Sequence, residues 1–376
     1  MDEQTIGQAV RERGIDRRGF LKFCSIMAGT LALPSGQIKH IVRALETNAR
    51  VPLIWLEFQD CAGCTEALLR SSRPTVAELI LNILSVDYHE TIMAASGFLA
   101  EEAKKQTIDA GGYLLVVEGS IPKGEDGIYC CIGGRTAEDI LQEAAANALA
   151  VVAVGNCATF GGIPKANPNP TGAVSVTEML KDLGIDKAVV NLSGCPYNPV
   201  NLTATVVHFL TFGELPAMDD KNRPLFAYGA RIHDNCERRG HFDAGEFVKA
   251  WGDEGHKKGW CLYEMGCKGP VTYHNCPAVR YNDGTSWPVK AGHGCIGCSE
   301  PDFWDFDGGV YGTAKLFEFA PPNTFAPVTL PEAKLDPSSA AIIGGAAGLA
   351  LGAAATAAYR QLSKSDQKES DEDEEE

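Results

Sequence analysis

Val51-Pro52-Leu53-Ile54-Trp55-Leu56-Glu57-Phe58-Gln59-Asp60-Cys61-Ala62-Gly63-Cys64 is an apolar run that ends in a cysteine pair. Branched and aromatic side chains suit residues 51–58 to a buried strand. Residues 113–117, 150–154 and 188–192 repeat the pattern, and helical stretches lie between, notably over residues 135–149. Alternating strands and helices imply a parallel, doubly wound sheet with helices on both faces, here expected to be flavodoxin-like. Ligands of such sheets bind beyond the carboxyl ends of the strands. The cysteines follow that rule: Cys61 and Cys64 come after the first run, Cys157 in Gly155-Asn156-Cys157 after the third, and Cys195 in Ser193-Gly194-Cys195-Pro196 after the fourth. Three loops thus converge on one edge of the sheet, where Glu118 also ends its strand.

Pro196 and Asn198 open a helix reaching residue 212, and Gly213, Pro216 and Pro224 mark a boundary. Beyond it glycine, proline and aromatics abound and hydrophobic periodicity is poor. His233-x-x-Cys236, Cys261, Cys267, Cys276 and Cys295-Ile296-Gly297-Cys298 all fall within 66 residues. Such a segment is organised by metals more than by a core, giving an irregular C-terminal domain. Ten of the 13 cysteines, with His233, thus form two groups whose spacing suits iron-sulfur clusters, for which thiolates are the usual ligands and histidine an occasional one. A lone Cys-x-x-Cys reads more readily as zinc or a dithiol. The additional strand-end cysteines and the dense second group favour clusters over zinc, and the close spacing counts against disulfides. Cys24, Cys130 and Cys131 join neither group and are expected to be small buried apolar residues.

The composition is that of a globular protein, with 45% apolar and 22% charged residues, and a net charge of −16 argues against a nucleic-acid partner. The first 50 residues carry +3 and residues 363–376 carry −6, leaving −13 for the body. Arg17-Arg18-Gly19-Phe20-Leu21-Lys22, followed by the weakly apolar residues 23–33, fits a twin-arginine export signal, although Asp16 stands where Ser or Thr is commoner. That route carries folded proteins, so clusters can be inserted in a reducing compartment first. Cleavage is expected between residues 44 and 50. Residues 340–359 hold no charge, are just long enough to cross a bilayer as a helix, and are rich in alanine and glycine. Arg360, Lys364 and Lys368 follow, which places the C-terminus in the cytoplasm and the body outside. The expected organisation is a signal over residues 1–48, the sheet domain over 49–223, the cluster domain over 224–331, a linker and membrane helix over 332–362, and an acidic tail over 363–376.

Trp55-Leu56, Asp60-Cys61-Ala62-Gly63-Cys64-Thr65-Glu66, Gly155-Asn156-Cys157, Ser193-Gly194-Cys195-Pro196, His233-Asp234-Asn235-Cys236 and Cys295-Ile296-Gly297-Cys298-Ser299-Glu300-Pro301 resemble the small subunit of membrane-bound uptake nickel-iron hydrogenases. The resemblance spans nearly the whole chain. It implies two 4Fe-4S clusters and one 3Fe-4S cluster: a proximal four-iron cluster on Cys61, Cys64, Cys157 and Cys195, a distal four-iron cluster on His233, Cys236, Cys261 and Cys267, and a medial three-iron cluster on Cys276, Cys295 and Cys298. Pro288 stands where a fourth medial cysteine would otherwise lie, and proline cannot ligate iron. The resemblance further implies a large-subunit partner that holds the nickel-iron site, so that this chain itself carries no catalytic residue. It also implies a membrane cytochrome b and the quinone pool as acceptors, and a location on the periplasmic face of the cytoplasmic membrane; it leaves a dimer of heterodimers open. Oxygen-tolerant relatives carry two extra cysteines around the proximal cluster. Gly63 and Gly162 occupy those positions here, so an ordinary, oxygen-sensitive proximal cluster is expected. A relay subunit of another redox complex is the alternative, but it would need only the N-terminal group.

Overall fold

The computed structural model describes residues 5, 6, 8, 16–71, 84–282 and 284–310. Five strands, β1 (Val51–Glu57), β2 (Leu84–His89), β3 (Leu114–Glu118), β4 (Ala150–Val154) and β5 (Val189–Leu192), form an all-parallel sheet in the order β2-β1-β3-β4-β5. That is the flavodoxin-like order, whose topological switch point lies between β1 and β3. The central strands were expected because both their faces are buried and their sequences are continuously apolar. β2 was not expected: it is an edge strand, and Ser85 and Asp87 at its partly exposed positions interrupt the apolar pattern.

Side chains alternate across the sheet. Leu53, Trp55, Val116, Val152, Val154, Val190 and Leu192 form one buried face. Ile54, Leu56, Leu115, Val117, Val151, Ala153 and Val189 form the other. The second face is covered by α4 (Phe98–Ala110), α5 (Ala137–Ala146) and α7 (Val176–Asp182). Helix α5 is shorter than the expected 135–149 because Arg135 and Thr136 pair with Cys131 and Ile132 as a small hairpin, and the Thr136 hydroxyl accepts the Asp139 N–H as the helix cap. The short helices α3 (Gly63–Leu69) and α6 (Gly155–Phe160) follow β1 and β4 directly.

The first face is covered by α8 (Pro199–Phe212) and by two N-terminal helices, α1 (Arg17–Thr30) and α2 (Ile38–Thr47). Helix α8 starts as its sequence predicts, with the Asn198 side chain accepting the Val200 N–H at 3.1 Å, and it stops at Gly213 in a left-handed conformation. The N-terminal stretch, expected to serve as an address rather than as fold, buries Phe20, Cys24, Met27, Ile41 and Leu45 in this core. Its apolar stripe explains that packing. Asp16 caps α1 by accepting the Gly19 N–H at 2.7 Å, a role Ser or Thr performs equally, and Arg17 and Arg18 remain exposed.

From Leu225 onward no helix among the described residues exceeds five residues. The local core there holds seven buried residues, two of them Cys276 and Cys295, so the sulfurs are part of what little core exists. Among the described residues no helix is long and apolar enough to cross a membrane. The span at 340–359 and the acidic tail lie outside the described residues.

Candidate metal centres

The carboxyl ends of β1, β4 and β5 gather the first set of thiols. Cys61 and Cys64 flank the start of α3, Cys157 lies in the first turn of α6, and Cys195 follows β5. Burial pushes the Cys157 and Cys195 thiols up to about 12, and neighbouring sulfurs add to it: Cys195 and Cys61 on the former, Cys298 and Cys61 on the latter. Burial likewise raises Cys64, with Glu118 next and then Cys157 and Cys195. At neutral pH these groups are thiols, so a metal centre binding them must displace protons.

Glu118 fixes the Cys64 loop at the switch point. Fully buried, it accepts the N–H groups of Cys64 at 2.9 Å and Thr65 at 3.0 Å. The Thr65 hydroxyl lies 2.7 Å from both Glu118 and Glu57. One hydroxyl hydrogen cannot serve two carboxylates, which agrees with burial pushing the Glu118 carboxyl up to about 7. Its strand placed Glu118 at this edge, but nothing in the sequence signals the two N–H contacts.

The C-terminal residues separate into two sets. His233, Cys236, Cys261 and Cys267 line one cavity together with Arg238, Arg239 and Val289. Burial lowers the His233 pKa, and the nearby Arg239 charge adds to this, so the ring is neutral and able to act as a ligand. Phe242 holds it edge-on at 4.5 Å. Cys276, Cys295 and Cys298 form the other set: burial raises all three, the Cys298 sulfur adds to the shift on Cys276, and the Cys298 and Cys276 sulfurs add to that on Cys295. Pro288 lines the same groove as Cys298. His274 lies beside this set, its Nδ1 2.9 Å from the Cys276 sulfur. Burial, with Arg223 adding, pushes that imidazole down to about 3.

The three sets form a series. The Cys195 backbone N–H faces the Cys298 sulfur, joining the strand-end set to the Cys276 set. The Cys295 N–H donates to the Cys267 sulfur at 3.2 Å, joining that set to the His233 cavity. The side chains of Asn156 and Ser193 and the guanidinium of Arg223 donate to the carbonyls of Cys298, Ser299 and Glu300, locking the sheet domain to the C-terminal segment.

Three observations test whether these residues suit iron-sulfur clusters. All 13 cysteines are free, with no disulfide competing for sulfur. Backbone N–H groups face the sulfurs, from Tyr197 on Cys64, Ile163 on Cys157, Tyr263 on Cys261 and Gly297 on Cys295. Glycines keep space open: a Cβ on Gly155 would overlap the Cys64 sulfur, and one on Gly162 would lie 2.6 Å from the Cys157 sulfur. The donor set fits. Of the three cysteines outside the sets, only Cys24 is buried as expected. Cys130 is half-buried, and Cys131 is exposed because the hairpin turns it outward.

Residues 228–311 match the family of C-terminal domains of NiFe/NiFeSe hydrogenase small subunits, and residues 61–209 match the family described as NADH ubiquinone oxidoreductase, 20 Kd subunit. The chain belongs to the small subunits of nickel-iron hydrogenases. It is 49% identical to the quinone-reactive Ni/Fe-hydrogenase small chain of Wolinella succinogenes over 79% of this chain and 83% of that protein. With the hydrogenase-2 small chain of Escherichia coli K12 it shares 43% identity over 96% of each. The structure of a [NiFeSe]-hydrogenase from Dm. baculatum covers 71% of this chain and 100% of its own, at 36% identity and a TM-score of 0.66. The match over 61–209 alone would suit a relay subunit of another complex; the match over 228–311 does not. The protein is an iron-sulfur, electron-transfer subunit whose large-subunit partner holds the catalytic metal site.

Proposed function

We propose that Cys61, Cys64, Cys157 and Cys195 hold a four-iron cluster facing the large subunit, that Cys276, Cys295 and Cys298 hold a three-iron cluster, and that His233, Cys236, Cys261 and Cys267 hold the outer four-iron cluster. The observation that carries this reading is the series of contacts from Cys195 to Cys298 and from Cys295 to Cys267. The three clusters supply one-electron redox chemistry between the nickel-iron site and an outside acceptor. The chain holds them in sequence, shields them from water by burial, and sets their charge through its ligands and N–H donors. Pro288 leaves the middle set one donor short, which supports three irons rather than four. Gly63 and Gly162 lie against the proximal sulfurs, which supports an ordinary, oxygen-sensitive proximal cluster.

The enzyme oxidises hydrogen at the outer face of the cytoplasmic membrane and passes electrons to a cytochrome b and quinone. The relative named as quinone-reactive supports the acceptor. The exposed Arg17-Arg18 pair supports twin-arginine export, and residues 340–359 with the basic residues after them support a membrane anchor with a cytoplasmic C-terminus. Purification from membranes under anoxic conditions, followed by hydrogen-dependent dye reduction and nickel analysis of what co-purifies, tests the reading. Activity with a nickel-containing partner is the expected result; a brown, iron-loaded, hydrogen-inert complex would refute it.

His233→Gly separates the outer site from the chemistry. Hydrogen activation, read by hydrogen-deuterium exchange, is expected to persist, while electron delivery to the membrane acceptor slows. Unchanged delivery would remove His233 from the relay.

A further inference from the structure

The imidazole of His274 is 2% exposed, lies two residues before Cys276, and places Nδ1 2.9 Å from the Cys276 sulfur. Its other nitrogen, Nε2, has no hydrogen-bond partner among the described residues. Among the described residues the ring's one hydrogen-bonding contact is therefore with sulfur. Tyr228 meets the ring edge-on at 5.0 Å and Tyr281 stacks at 6.5 Å, which holds it in that orientation. The Tyr281 hydroxyl also reaches Cys276, but it donates its hydrogen to the Pro196 carbonyl at 3.0 Å. A cysteine bound to iron has no hydrogen to give. In a neutral ring the hydrogen must then sit on Nδ1 and point at sulfur.

We propose that His274 is a positioning residue for the middle site, donating Nδ1–H to the Cys276 sulfur and holding that site at a higher reduction potential than its thiolates alone would set. The inference rests on Cys276 being a cluster ligand. A hydrogen bond to a ligand sulfur withdraws negative charge and favours the reduced state, which carries one electron more. The sign therefore follows from chemistry: losing the donor lowers the potential.

The test is a redox titration of the anoxically purified heterodimer, followed through the electron paramagnetic resonance of the oxidised three-iron cluster. His274→Leu keeps an apolar body and loses the donor, and its midpoint is expected to fall. His274→Asn keeps an amide N–H at the position of Nδ1, and its midpoint is expected to stay near that of the unaltered protein. Equal midpoints in all three would overturn the proposal. If the leucine variant does not load iron, hyperfine spectroscopy of the unaltered protein with 15N-histidine decides. A histidine nitrogen coupled to the three-iron signal is expected, and its absence overturns the proposal. A heterodimer showing no three-iron signal at all would instead overturn the ligand assignment on which the inference stands.

Discussion

Gly155→Ala is expected to leave the first site without its cluster and to reduce hydrogen-dependent dye reduction to near background. Gly155 begins α6 immediately after β4, with φ of +80°, a conformation that L side chains rarely adopt. Its missing Cβ is the space into which the Cys64 sulfur fits. Overpacking of this kind costs about 1–3 kcal/mol in stability, but the larger loss is geometric, because the displaced atom is a proposed ligand. Iron per heterodimer and the proximal cluster's resonance read the effect. Gly240→Ala, where an added Cβ meets nothing within 4 Å, is the matched control and should load normally. Normal loading of Gly155→Ala would show that the Cys64 sulfur lies elsewhere when the cluster is bound.

Arg223→Met is expected to destabilise the protein by about 3–5 kcal/mol, the range for breaking a buried ion pair from one side. Arg223 is 1% exposed. It donates to Asp219 at 2.8 Å, to Glu300 at 3.0 Å and to the Ser299 carbonyl at 3.0 Å, and stacks over Tyr228 at 5.3 Å. Methionine fills much of the volume but leaves two carboxylates without their cation. Denaturant unfolding of the loaded heterodimer measures the loss. Adding Glu300→Gln should recover part of it, since one stranded charge is removed; a strictly additive double variant would contradict the pairing.

The sheet was legible where its strands were buried on both faces, as in Ala150–Val154, and illegible at the edge strand carrying Ser85 and Asp87. The first sulfur set was legible because strand direction alone brings the ends of β1, β4 and β5 to one edge. The C-terminal sulfurs were legible as a group, but nothing in the spacing of Cys261, Cys267 and Cys276 says which belong together. That division entered through resemblance, and the cavity around His233 agrees with it. The contacts that lock the halves escaped notice for a different reason. Asn156 and Cys298 are 142 residues apart and Arg223 and Ser299 are 76 apart, so no local pattern announces them. His274 did leave a local trace, a histidine two positions before a cysteine, yet His-x-Cys has no meaning without the geometry. Cys131 misled because cysteine is so often buried.

Cys195 belongs to one sulfur set through its side chain and touches the next through its own N–H. The gap between the two sets is therefore bridged by the atoms of a single residue, beside the hydrogen bonds from Asn156, Ser193 and Arg223 to the carbonyls of Cys298, Ser299 and Glu300. Tunnelling rates fall steeply with distance, and two domains that breathe against each other would scatter the rate of every transfer between them. Here thermal motion of the halves cannot open that interval without stretching those contacts together, so the spacing of the two clusters proposed on these sets is held while the rest of the molecule fluctuates.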